Sequence, residues 1–501
     1  MATPMVWLPR RKYGRDPFAR PRSSVFVHRL RRTPMPSVMT IPLTLPVRAW
    51  RAAAFAAAFL ALSLLTARPA LAQSILRDAE TEALLNDMAA PLAEAAGLEP
   101  SNLEIVLVND PSINAFVAGG QIVYIHSGLI DAADNANEVQ GVIAHEIGHI
   151  TGGHVNRMSQ GVGAATNISL LSLLLGVAVA AAGGGEATPA VIAAGQRAAM
   201  GSFLAFSRVQ EASADAAGAE YLSDAGISGR GSIEFFRKLQ GETIRRGYRR
   251  NDETEFVQTH PLSSDRIQRL RETYVVDPAW DNPSDPEIEQ RFARVKAKLG
   301  GYLDRPELTL SRFPATDTSV AARYARAYAF HQQARIDEAL GEVNALLADE
   351  PENPYFLELK GQVLLESGRP GDAIEPLREA TELTQHHPLI SSIFGHALIA
   401  TEDKAHHDEA IQVLRASVGR DRRNPFAWYQ LGTVYAAQGD NARARLASAE
   451  QQVLRADYFN ALQSAKAAEA QLPTGSPDWL RAQDIAFEAQ AAIARERERR
   501  R

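Results

Sequence analysis

The sequence predicts a mainly α chain of the α+β kind: a helical domain holding a small β-sheet, followed by an α-solenoid of repeats. Three observations predict it. "GVIAHEIGHITGGH" (Gly141–His154) sets three histidines and a glutamate within a stretch of helical periodicity. "LEIVLVND" and "GGQIVYIHSGLI" upstream read as strands bounded by turn residues. Beyond Pro354, proline, glycine and alanine recur in one register.

In chain order, residues 1–72 form an arm and leader. Arg and Pro crowd the first 51 residues. "AAAFAAAFLALSLLTA" (Ala52–Ala67) then follows Arg48 and Arg51, and a small-x-small site falls at Ala70 and Ala72. A charged region, an apolar core and that site make a secretory signal, with cleavage before Gln73. The piece removed holds 12 Lys+Arg and one acid, which leaves 41 basic and 58 acidic residues, a net charge of −17. So acidic a chain repels phosphate backbones, and nucleic acid is excluded as a partner. Cysteine is absent from all 501 residues, which excludes disulfides, thiolate nucleophiles and Cys zinc sites.

Residues 73–275 make the next domain. Its pattern is helical from about Gln73 to Gly97, then gives strands at Leu103–Asp110 and Gly119–Ile130. A helix is expected over about Asn137–Ile150, with Val139, Ile143, Ile147 and Ile150 as its apolar stripe. The apolar tract Ile168–Ala182 is shorter than a spanning helix needs, so a flap or membrane-surface element is expected, with a membrane hairpin as the rival. Ser207–Gly226 reads as an Ala-rich helix stopped by Gly226. Residues 276–314 read as a polar connector, helical in part near Ile288–Leu299.

Residues 315–501 are the repeats. Pro354, Pro388 and Pro425 open units, with Gly361, Gly395 and Gly432 seven residues later and Ala327 in the equivalent place of an earlier unit. Ala339, Ala373, Ala410 and Ala444 recur at spacings of 34, 37 and 34. A 34-residue period with small residues where paired helices touch is the tetratricopeptide pattern. Four units are recognisable, and a degenerate one lies near Asp457–Ala492.

The chemistry lies in the opening motif. His145 and His149, four apart, share one helix face and reach one cation. Zinc takes nitrogen ligands tetrahedrally and keeps a position open where it is catalytic. Glu146, beside the first ligand, takes the proton of an activated water and passes it to a leaving amine. His154 is five residues after His149, too close for a third ligand of the six-residue type, and is expected in a supporting place. The missing ligand is then a downstream carboxylate, the gluzincin arrangement. Glu211 and Asp215 in "QEASAD" share a face: Glu211 as ligand, Asp215 behind it holding a histidine N–H. Glu220 is the rival ligand. One zinc per chain is expected.

"AHEIGH", the later ExxxD helix, "INAFVAGG" and "THPLSSDR", in that order, resemble the HtpX- and CAAX-prenyl-protease-related metallopeptidases. The likeness covers about residues 75–275. With a leader in front and repeats behind, the architecture is similar to the family's periplasmic protease-chaperones. The resemblance implies His145, His149 and Glu211 as zinc ligands and Glu146 as base. It also implies that His260 lies near the metal, either plugging it or supporting the oxyanion, and that Arg266 is the arginine of the family's "HPxxxxR".

The expected protein is a periplasmic zinc endopeptidase. Its clients would be unfolded or β-rich envelope proteins, and its repeats would dock the outer-membrane assembly machinery. Substrate would add as a strand along Gln121, Ile122, Val123, Tyr124 and Ile125. Peripheral membrane contact is also expected. The rivals are an assembly chaperone with a silent protease site and an integral-membrane protease.

Overall fold

The computed structural model describes residues 2–4, 74–181, 187–246 and 260–499. Apart from residues 2–4, the expected arm and leader lie outside these residues, as do residues 182–186 and 247–259.

The expected first helix starts late. "SILR" is a strand, β2 (Ser74–Arg77), because it pairs antiparallel with β3 (Glu104–Asn109), Ile75 opposite Val108. Asp78 then caps α1 (Ala79–Ala95), accepting from the Thr81 amide. The sheet also holds β1 (Ala2–Pro4), β4 (Ala115–Val117) and β5 (Ile122–His126), in the order β1-β2-β3-β5-β4. β5 ends at His126, four residues before its expected end, because Ser127 starts a short helix, α2 (Ser127–Ala132).

The register corrects the expected substrate strand. β5 is hydrogen-bonded on both sides, parallel to β3 and antiparallel to β4. Ile122–Ile125 therefore have no free edge for an added strand. The open edge on that side is β4, unforeseen because three residues are too few to show alternation.

Helix α3 (Ala136–Thr151) carries the opening motif. Asn135 caps it by accepting from the Glu138 amide, and the Glu138 carboxylate accepts in return from the Asp134 amide. Every residue of α3 from Ala136 to His149 is buried except Gln140. After it come α4 (His154–Ala181), α5 (Thr188–Asp224), α6 (Arg230–Arg246) and α7 (Ser264–Val275). α4 corrects the short apolar tract: it is one helix of 28 residues, and His154–Val179 is long and apolar enough to cross a membrane.

The polar connector is also corrected. Most of it is α8 (Pro286–Leu303) and α9 (Pro306–Arg312), and α8 sends Phe292, Val295 and Leu299 into the core shared by α1, α3 and α6. Its many charges hid that apolar stripe.

The repeats form helix pairs. These are α10 (Val320–Gln332) with α11 (Ile336–Asp349), α12 (Pro354–Glu366) with α13 (Pro370–Leu383), and α14 (Pro388–Ala400) with α15 (His407–Arg420). Then follow α16 (Pro425–Ala437) with α17 (Asn441–Leu454), and α18 (Tyr458–Glu469) with α19 (Pro477–Arg499). The repeat glycines are small for a reason: a Cβ on Gly361 would stand 2.3 Å from Leu377, and one on Gly395 2.5 Å from Leu414. The three extra residues of the longer repeat fall in the turn at Lys404–His406.

Residues 77–80 bind the two halves together. Arg77 pairs with Asp421 at 3.0 Å, and Ala79 packs on Leu357, Ala380, Leu389 and Ile390. Asp78 lies 2.6 Å from the buried Lys298 ammonium. Glu80 accepts from Arg294 at 2.5 Å and from the Tyr324 hydroxyl at 2.8 Å.

Candidate metal centre

Two helices build the site, and a glycine lets them meet. A Cβ on Gly148 would stand 2.6 Å from the Ala214 carbonyl oxygen, so α3 and α5 touch backbone to backbone. That contact sets His145 and His149 of α3 against Glu211 and Asp215 of α5. His260, ahead of α7, closes the group from a third side.

The donor atoms face one another. Nε2 of His145 is 3.1 Å from Nε2 of His149, 3.2 Å from Nδ1 of His260 and 3.4 Å from Glu211. Glu211 is 3.4 Å from Nε2 of His149 and 3.1 Å from Nδ1 of His260. All four ligand atoms lie within 4.8 Å of one another. Bonds of about 2.0–2.1 Å to a four-coordinate zinc make tetrahedral edges of about 3.3–3.4 Å, close to this spacing.

Charge fits as well as spacing. Glu146, Glu211 and Asp215 are three buried carboxylates, and one guanidinium, Arg266, pairs with the last two. With neutral imidazoles the pocket is two positive charges short, the charge of one divalent cation. The same shortage acts on His145. Burial opposes its charge, but the Asp215 and Glu211 carboxylates prevail and its pKa is pushed up to about 9. A cation bound at Nε2 would take that proton's place. Burial works against the charge on Glu211, yet its three histidine partners hold it far below the usual carboxylate range.

The supports are where metal sites need them. Asp215 lies 3.0 Å from Nδ1 of His145. Nδ1 of His154 is 2.8 Å from Nδ1 of His149, and burial holds the His154 pKa down at about 4, so a neutral ring braces the ligand. Arg266 donates to both oxygens of Asp215, at 2.6 and 2.7 Å, and its Nη1 lies 2.8 Å from Glu211. It therefore positions two carboxylates rather than facing a substrate. Glu220 is exposed and outside the cluster. Phe236 of α6 was not foreseen; its ring meets the edge of His145 and lies under the Arg266 guanidinium. No local pattern marks it.

Glu146 differs from its neighbours. It is 0% exposed, and neither carboxylate oxygen has a hydrogen-bond partner. Nε2 of His260 stands 3.5 Å from Oε1, beyond a good hydrogen bond. A buried carboxylate left this way is costly unless a ligand completes it.

A two-histidine helix, a glutamate from α5 and a further buried glutamate beside them define a gluzincin-type metallopeptidase. Residues 50–274 match the model of peptidase family M48, and the chain is a metalloprotease. It is 26% identical to the Beta-barrel assembly-enhancing protease of Yersinia pestis over 385 residues, 75% of this chain and 76% of that one. The protein of the same name in Escherichia coli K12 is also 26% identical, over 78% of this chain and 79% of its own. Metalloprotease LoiP of that strain is 31% identical over 36% of this chain and 65% of its own. Among solved structures, YrrB, a TPR protein, matches with a TM-score of 0.29 and 22% identity over 35% of this chain and 91% of that one.

Proposed function

We propose that the chain is a zinc-dependent endopeptidase of the bacterial periplasm that degrades misfolded or stalled outer-membrane proteins and assists their assembly. The observation that carries the chemistry is the converged set His145, His149 and Glu211 with the unpartnered Glu146 beside it. Zinc, one ion per chain, suits a nitrogen-rich set at tetrahedral spacing. When bound, the ion supplies a Lewis acid that acidifies water and polarises a peptide carbonyl. Glu146 accepts a water proton at a carboxylate oxygen and delivers it to the leaving amine. Asp215 fixes the His145 ring, and Arg266 fixes Asp215 and Glu211. A client strand would pair with the outer edge of β4 (Ala115, Phe116, Val117), which packs on α3. Strand addition reads backbone, which suits unfolded β-rich clients. The leader pattern and the names of the relatives support the envelope setting.

Glu146→Gln tests the chemistry. Turnover of an unfolded protein substrate should fall about 10²–10⁴-fold while metal content and thermal midpoint hold. A fully active variant sinks the reading. N-terminal sequencing of the envelope form should begin at Gln73.

One observation favours a second reading, a chaperone or scaffold whose protease is normally silent. His260 Nδ1 stands at the corner that a catalytic site keeps open. On that reading His260→Ala raises basal cleavage. A loss of about 10²–10³ with metal retained would instead assign His260 to the oxyanion. For docking of an assembly machine by the repeats, substitution of exposed Tyr429 and Phe459 is the clean test. Deleting residues 315–501 would also strip Tyr324 from Glu80.

A further inference from the structure

The arm formed by α4 and the first half of α5 is built inside out. Between Val155 and Ala178 the buried residues of α4 are Gly161, Ser172 and Gly176. Its five leucines, Leu170, Leu171, Leu173, Leu174 and Leu175, are 50–67% exposed, and Val177 is 62% exposed. Small residues make the seam with α5. A Cβ on Gly195 would stand 1.9 Å from Ser172, one on Gly176 2.8 Å from Ile192, and one on Gly161 2.5 Å from Phe206. A helix pair in water turns its leucines inward. Small residues inside and leucines outside is the arrangement of helices packed in lipid.

At 100° per residue, Leu170–Val177 covers an arc of about 200° centred on Leu174, opposite the seam. Only 11% of the most apolar stretch of His154–Val179 is buried. Between Arg157 and Arg197 the sole charged residue is Glu186. Arg197 decides how the arm meets lipid. A full crossing would carry it, nine residues from the start of α5, towards the middle of the bilayer. Side-on seating of the leucine face leaves it in water or among headgroups.

We propose that the Leu170–Val177 face of α4 embeds side-on in the apolar layer of a lipid bilayer and holds the metal centre near the membrane. α4 begins at His154, against the ligand His149, and twenty residues separate His154 from Leu174. At 1.5 Å per residue the site stands about 30 Å along the helix from the embedded face. That favours substrates that emerge from, or rest on, a membrane surface. The proposal stands on the arm alone, independently of the peptidase reading.

The chain has no cysteine, so Leu174→Cys carries a single environment-sensitive fluorophore on the full protein. With vesicles of phosphatidylethanolamine and phosphatidylglycerol its emission should shift to the blue and keep the shift at ~0.5 M salt, because apolar burial is not screened. A label at exposed Glu379→Cys in the repeats should not shift. No shift at position 174, or one abolished by salt, overturns the proposal. So does a shift that grows with protein concentration without vesicles, which would make a second copy the cover. The double variant Leu171→Asp/Leu174→Asp changes exposed positions only. It should lose vesicle co-flotation about tenfold or more and keep peptide cleavage in lipid-free solution. If it floats as the wild type does, the proposal is wrong. Loss of cleavage with lipid binding intact would count against the peptidase reading and not against this one.

Discussion

Among the described residues, two buried clusters of charge each contain three carboxylates. At the junction of the peptidase domain with the repeats, Asp78 and Glu80 pair with Lys298 and Arg294, and the buried Glu358 feels the Lys298 charge. At the metal centre Glu146, Glu211 and Asp215 are buried, and the one guanidinium, Arg266, pairs with Glu211 and Asp215. The junction is complete in itself: two cations answer two carboxylates, and Tyr324 donates to the Glu80 oxygen that Lys298 also reaches at 3.2 Å. The third carboxylate keeps a proton, since burial pushes the Glu358 pKa up to about 8. The metal centre does not close. Its lone pairs point at one another, and both Glu146 oxygens lack a donor. The difference teaches that a buried charge is no mark of function in itself. A structural cluster is complete in its side chains, whereas a functional one is short by the charge of what it binds.

The largest test of this contrast is Glu211→Ala, which removes a ligand and one charge. Metal content should fall towards zero, and cleavage should fall by about 10³-fold or more with it. Full metal content by elemental analysis would place the third ligand elsewhere.

Lys298→Ala is the counterpart at the junction. It leaves Asp78 and Glu80 short of a cation in a buried place, so chemical denaturation should show a loss of about 3–5 kcal/mol. Metal content of the folded protein should not change. A loss below about 1 kcal/mol would mean that water or movement repairs the junction.

Asp215→Asn is milder. It keeps a polar group beside His145 but weakens the hold on its N–H, and metal affinity should drop about 10–100-fold. An unchanged affinity would make the Arg266–Asp215 pair a scaffold only.

The smallest effect concerns pH. Between an ordinary carboxylate value near 4.5 and about 8, the unfolded chain has released the Glu358 proton and the folded chain still holds it. Stability therefore falls as pH rises through that window. Glu358→Gln should flatten this fall, by an amount on the order of 1 kcal/mol. The same slope in wild type and variant would put the proton elsewhere.

The sequence by itself determined what is local. The four-residue spacing of His145 and His149, the like spacing of Glu211 and Asp215, and the 34-residue register follow from helix geometry, and each was legible because 3.6 residues make a turn. His260 and Arg266 came from likeness rather than spacing, since 49 and 51 residues separate them from the carboxylates Glu211 and Asp215 that they meet. Only the tertiary structure decided the rest. β2 and β4 have three or four residues each and exist because β3 and β5 offer them hydrogen bonds, so no periodicity announces them. That pairing took the free edge from β5 and gave it to β4. α8 reads as polar along the chain, yet its stripe faces the core and Lys298 finds Asp78, more than 200 residues away. The arm reads as a short apolar tract, and only the seam at Gly176 and Gly195 shows its leucines facing outward. Composition states how apolar a helix is, but the direction of its apolar face depends on where its neighbours stand.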